Sequence, residues 1–159
     1  MRTKKILEEL YNTLKDAGAK ELTFSEKEET GLPYDVVVML LDGFGTTTNT
    51  AQCEFYFLTK EELGTDMFFC RITLTEEVVP ENIPGLCAEI AVLNLELPLG
   101  AFSFDVMENA LIYQANLPLS PGLSTIEIQE EADGCIASAI SVSGRFAGTL
   151  VPLAVTWRR

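Results

Sequence analysis

Residues 101–114, AFSFDVMENALIYQ, alternate apolar and polar side chains on both sides of a short polar interruption. That alternation has the period of a pleated strand and not of a helix, so the segment is expected to be a β-hairpin with one buried face. A two-residue loop at Glu108 and Asn109 would set Val106 against Leu111, Phe104 against Tyr113 and Phe102 against Ala115 on the buried side. Asp105 would then face Ile112, Ser103 would face Gln114 and Ala101 would face Asn116 on the other side. A slip of one residue would turn every ring toward water, which ties the sorting of the faces to the fold. A lone hairpin is at best marginally stable, so the rest of the chain must supply strands and helices to cover it.

It does. Ile6, Leu7, Leu10, Tyr11 and Leu14 recur at helical spacing before Gly18 and predict a helix over residues 3–17. ELTFSEKEE then alternates weakly and reads as an edge strand, whereas YDVVVMLLD is apolar at nearly every position and reads as a central one. A polar connection, GFGTTTNT, leads into AQCEFYFLT, where Cys53, Phe55 and Phe57 share a face; in the strand at 66–75, Phe68, Cys70, Ile72 and Leu74 do the same. Four strands with short links make an antiparallel meander.

Pro80, Glu81 and Asn82 open a second helix, with a stripe of Ile83, Leu86, Cys87, Ile90, Leu93, Asn94 and Leu97 that ends at Pro98. Asn94 on the buried side is expected to bond neighbouring backbone. Ser124-Thr-Ile-Glu127 has the form of a capping box and predicts a third helix from there to about Leu150, its stripe running through Ala132, Ile136, Ala139, Ile140, Ser143, Ala147 and Leu150. Asp133-Gly134 weakens the early part, and TIEIQ could instead be a strand. The expected architecture is a single α+β domain over residues 1–159, an antiparallel sheet in the order α-β-β-β-β-α-β-β-α with helices packed on the sheet.

In LNLELPLGAFSFD, residues 93–105, a helix ending in Leu-Asn passes through Leu-Pro-x-Gly into a Phe-containing strand; NLPLSPGL and TLVPLAV follow. With these motifs the chain resembles the YbjN-like proteins, which belong with the type III secretion chaperone-like fold. The resemblance covers about thirty residues closely and the rest of the chain loosely. It implies a small acidic homodimer, bacterial, that holds an unfolded or extended partner segment as a chaperone or a sensory regulator, and it carries no active site. The longer first hairpin loop departs from the dedicated secretion chaperones.

Acidic residues outnumber basic ones 24 to 11, for a net charge of -13, which argues against binding nucleic acid backbones or anionic lipid. Residues 72–144 carry 11 carboxylates and no Lys or Arg. That half is either a solubility surface or a field that attracts a basic partner. The opening residues have no signal-peptide core, which leads us to expect a cytoplasmic protein. Cys135–Trp157 is long enough to span a membrane, but Arg145 and its hydroxyl residues fit better a helix lying on a sheet.

With no histidine in the chain, Ser-His-Asp and Cys-His chemistry is impossible, and four scattered cysteines form no metal-ligand pattern, so no cofactor or metal is expected. Cys53, Cys70, Cys87 and Cys135 lie among apolar residues and should be buried, reduced thiols. The Glu61/Glu62, Glu76/Glu77 and Glu130/Glu131 pairs stand where solvated Glu is ordinary. GFG at 43–45 lacks the Lys and the helix of a phosphate cradle; Phe44 is either folded back or offered to a partner. Tyr56, Leu58, Met67 and Phe69 fall on the faces opposite Phe55 and Phe68, leaving more apolar surface than three helices need to cover. The leading reading is a non-enzymatic protein-binding adaptor that holds a basic or amphipathic segment. Its candidate partner-binding residues are Phe44, Tyr56, Leu58, Met67, Phe69, Glu127, Glu130 and Glu131. The alternative is a small-molecule-binding or enzymatic domain using carboxylates, Cys53 or Cys70.

Overall fold

A computed structural model describes residues 2–46, 49–60 and 64–157. Helix α1 (Arg2–Asp16) buries Ile6, Leu7 and Leu10. It stops where Gly18 takes φ +87 and its N–H and that of Ala19 bond back to Lys15 and Leu14, a Schellman closure that a β-carbon would strain. Strand β1 (Leu22–Ser25), a one-turn helix α2 (Lys27–Thr30), β2 (Val36–Leu41), β3 (Ala51–Lys60) and β4 (Thr65–Thr75) follow. A 3-10 turn at Pro80–Asn82 leads into α3 (Ile83–Leu93); the hairpin is β5 (Ala101–Asp105) and β6 (Ala110–Pro118), and α4 (Thr125–Val155) comes last. The six strands form one antiparallel sheet in the order β1-β2-β3-β4-β6-β5, so the meander is completed by a hairpin whose second strand lies inside the first.

One face of the sheet carries the core. Phe55, Phe68, Ile72, Leu74, Phe102, Leu111 and Tyr113 are fully buried there under α1, α3 and α4. Helix α4 begins at the predicted capping box: the Ser124 hydroxyl accepts from Glu127 N–H at 3.2 Å, and Glu127 Oε2 accepts from Ser124 N–H at 2.7 Å. TIEIQ is therefore helix. Ala132, Ala139, Ser143 and Ala147 let α4 lie close against the sheet. Thirty-one residues and an apolar composition make α4 long enough to cross a membrane by that measure alone, yet its stripe is spent on the core.

Several expectations need correction. The hairpin loop has four residues, Val106 to Asn109, so Phe104 faces Leu111, Phe102 faces Tyr113 and Asp105 faces Ala110. Asp105 Oδ1 accepts from the N–H groups of Met107 and Glu108, which folds the turn early, and Asn109 takes φ +51. The shift is two residues, which keeps the paired strand residues on their predicted faces, but Val106, expected on the buried side against Leu111, falls in the turn and is exposed. Helix α3 ends at Leu93, short of Leu97, and Cys87 lies on its exposed side, so the expectation of four buried thiols fails there. Helix α4 runs past Leu150 and through Pro152, because Val79 N–H and the Asn82 amide bond to the Ala154 carbonyl, and that amide also reaches the carbonyl of Thr156.

Phe44, a candidate for partner contact, is buried against α4. The loop can sit so close to α4 because its own Gly45 lacks a β-carbon. A β-carbon on Gly45, whose φ is +61, would stand 2.5 Å from the Gly144 carbonyl oxygen. The Glu61/Glu62 pair lies outside the described residues.

Candidate functional site

The helices cover one face of the sheet only, and the other face gathers four of the sequence-predicted residues. Register places Tyr56 beside both Val36 and Phe69, and Leu58 beside Met67, on the side away from Phe55 and Phe68. Tyr34, from the turn before β2, completes a three-ring stack: Tyr34 and Tyr56 lie 4.0 Å apart at 10°, and Tyr56 and Phe69 lie 5.0 Å apart at 3°. Val36, Tyr56 and Phe69 form a second small core of their own, with Tyr34, Val38, Leu58 and Met67 half-buried around it. Burial raises the Tyr56 phenol to about 12 and moves Tyr34 in the same direction, so both stay neutral hydroxyls at physiological pH.

One row along the strands, the face turns polar. Arg71 on β4 stands beside Glu54 on β3, with its Nε 3.9 Å from Glu54 Oε2, and reaches over β6 so that Nη2 donates to Asp105 Oδ2 at 2.8 Å. Its Nε is buried and has no hydrogen-bond acceptor. The amide of Glu108 in the hairpin turn, with Arg71 adding to it, holds the Asp105 carboxyl below its usual range. Glu54 moves the other way: burial raises it, Glu108 and Glu76 add like charge, and Arg71 only partly opposes them. Tyr34, Tyr56, Glu54, Arg71, Asp105 and Glu108 are among the walls of a cavity of about 270 Å³.

Glu127, Glu130 and Glu131 are not part of this site. They belong to the first turns of α4, on the helical side of the sheet; Glu130 and Glu131 are exposed, and hydrogen bonds from Ser124 hold the Glu127 carboxyl low in its capping role. Phe44, being buried, is not part of it either. Cys53 and Cys70 are fully buried on the core face, where desolvation pushes the Cys53 thiol up to about 12 and Cys70 in the same direction; neither offers a thiolate near neutral pH. No group of three or more Cys, Asp or Glu suited to a metal ion occurs among the described residues. Reading the sequence missed Tyr34 and the Arg71–Asp105 pair. Arg71 did carry a signal, as the single basic residue of its strand, flanked by Cys70 and Ile72, and the last one before Arg145.

Two of three comparisons with known proteins return nothing: no family model and no curated protein matches the chain. Among solved structures, YbjN from E. coli, described as a candidate transcription regulator, superposes with a TM-score of 0.52 at 15% sequence identity, over 89% of this chain and 91% of that one. The fold is YbjN-like. At that identity the likeness speaks for the fold alone, over about nine-tenths of each chain.

Proposed function

We propose that the protein is a non-enzymatic adaptor, regulatory or chaperone-like, which holds a basic or amphipathic segment of a partner protein on the open face of its sheet. The observation that carries this reading is the half-buried apolar rim of Tyr34, Val38, Leu58 and Met67 around the buried Tyr56–Phe69 pair, on the face without helices and beside a carboxylate-rich cavity. A sheet face with an apolar half and an acidic half, in a chain of net charge -13, suits an amphipathic cationic segment. The protein acts in the cytoplasm in this reading, a compartment that suits four unpaired cysteines. Leu58→Glu combined with Met67→Glu places charge on the half-buried rim of the face and leaves the helix-covered core untouched. Wild type should retain a discrete partner from a native extract, the double variant should lose it, and Glu130→Gln with Glu131→Gln should keep it with a slower on-rate. Capture that is equal for wild type and the face variant overturns the reading.

The same proposal includes a homodimer. Val92 and Leu95, at the end of α3, are 61% and 86% exposed and supply an apolar contact away from the sheet face. Sedimentation equilibrium should give a dimer that Val92→Asp with Leu95→Asp converts to monomer. A wild-type monomer at high micromolar concentration refutes it.

A further inference from the structure

The cavity on the open face names the chemistry of what enters it. Four carboxylates, Glu54, Glu76, Asp105 and Glu108, surround it, and Arg71 is the cation in its wall. Arg71 makes its one short ionic contact with Asp105, at 2.8 Å, and the 3.9 Å approach to Glu54 is too long for a hydrogen bond. Glu54, about a quarter exposed, accepts no side-chain hydrogen bond among the described residues, and Arg71 is its nearest cation. A half-buried carboxylate whose nearest cation, Arg71, stands 3.9 Å away and is spent on Asp105 gains from an added charged donor. Tyr34 adds an aromatic surface at the cavity's edge and also lines the neighbouring hollow beside Leu58.

We infer that the open face recognises an arginine side chain of an extended partner segment, its guanidinium entering the cavity to bond Glu54 and lie along Tyr34, with the segment's next apolar side chain resting on Leu58 and Met67. A guanidinium fits both demands, because it is planar, donates in pairs to a carboxylate and stacks on an aromatic ring; an ammonium meets only the charge. A second copy meeting this face with its own open face does not fit. It would present the same four carboxylates and an arginine already committed to Asp105, so like charge would meet like. This inference rests on the adaptor reading and narrows it to one side-chain class.

The test uses the full chain and a capped hexapeptide, Thr-Arg-Thr-Val-Thr-Val, which in an extended conformation sets its Arg and both Val side chains on one face, with companion peptides in which Arg is replaced by Lys or by citrulline, a neutral isostere. Amide chemical-shift titration should map the Arg peptide to Glu54, Tyr56 and Arg71. Its Kd should be at least tenfold lower than that of the citrulline peptide and several-fold lower than that of the Lys peptide. Glu54→Gln should weaken the Arg peptide about tenfold and leave the citrulline peptide unchanged, which separates loss of charge recognition from loss of fold. Equal binding of the Arg and citrulline peptides at this face overturns the inference while leaving the adaptor reading in place. Arg-peptide shifts confined to α4, or no binding by any peptide while native partner capture survives Glu54→Gln, also overturns it. Failure of partner capture in the Leu58/Met67 experiment is a separate result and removes the adaptor reading itself.

Discussion

Asn94 is the most economical place to test how this fold is held. Its side-chain amide donates to the Phe102 carbonyl at 2.9 Å and accepts from the Phe102 N–H at 2.9 Å, so one side chain completes the hydrogen bonding of an edge-strand residue just as a neighbouring strand would. Phe102 is 1% exposed and its ring packs 5.0 Å from Tyr113, so an error at its backbone is transmitted to the core. Asn94→Ala removes both bonds. Two bonds at a net ~1 kcal/mol each, with water able to reach part of the vacated edge, give an expected loss of about 2 kcal/mol. For a domain of this size that lowers Tm by roughly 4–8 °C. Asn94→Asp at pH 7 keeps the acceptor but sets a carboxylate against the Phe102 carbonyl, and should be at least as harmful. The folded state then favours the protonated acid, whose pKa is raised, so this variant should recover relative to Asn94→Ala as pH falls through that pKa. Urea denaturation measures the loss, and hydrogen exchange at the Phe102 amide reports whether the edge has opened. A loss for Asn94→Ala below about 0.5 kcal/mol, with Phe102 protection unchanged, would refute the argument that Asn94 stands in for a missing strand.

The corrected hairpin register predicts that Phe102→Ala costs about 3–5 kcal/mol and half-buried Phe104→Ala clearly less, and urea melts that reverse the order would contradict the observed pairing. Glu54 has a raised folded pKa, so the wild type gains stability as pH falls through that value and the gain is complete below the unfolded pKa. Glu54→Gln should accordingly show its largest stability advantage near pH 7 and a shrinking one toward pH 4, measured as the difference between paired urea titrations; a difference independent of pH would place the carboxylate in water. Thiol titration of the native protein should label Cys87 alone, with Cys53, Cys70 and Cys135 reacting only after denaturant is added, and rapid native labelling of Cys53 or Cys70 would reopen the cysteine-dependent alternative.

Local periodicity alone determined a good deal of this protein. Alternation assigned Tyr56, Leu58, Met67 and Phe69 to one sheet face and Phe55 and Phe68 to the other, the capping box located the start of α4, and Gly18 marked the end of α1. These features depend on residues within a few positions of one another, so the chain's own spacing carries them. The tertiary structure decided what depends on distant partners. A hairpin shifted by two residues keeps the same faces, so alternation could not choose between the two registers, and the Asp105 side chain with the Asn109 contact to Val78 did. The Phe44 loop packs onto α4 because Gly45 has no β-carbon to strike the Gly144 carbonyl a hundred residues later, and α4 continues past Leu150 because Val79 N–H and the Asn82 amide donate to the Ala154 carbonyl. The candidate site is of the same kind. Tyr34 stacks on Tyr56, and Arg71 meets an Asp105 that is 34 residues away, only because β6 threads between β4 and β5 and brings three separate stretches of chain onto one open face.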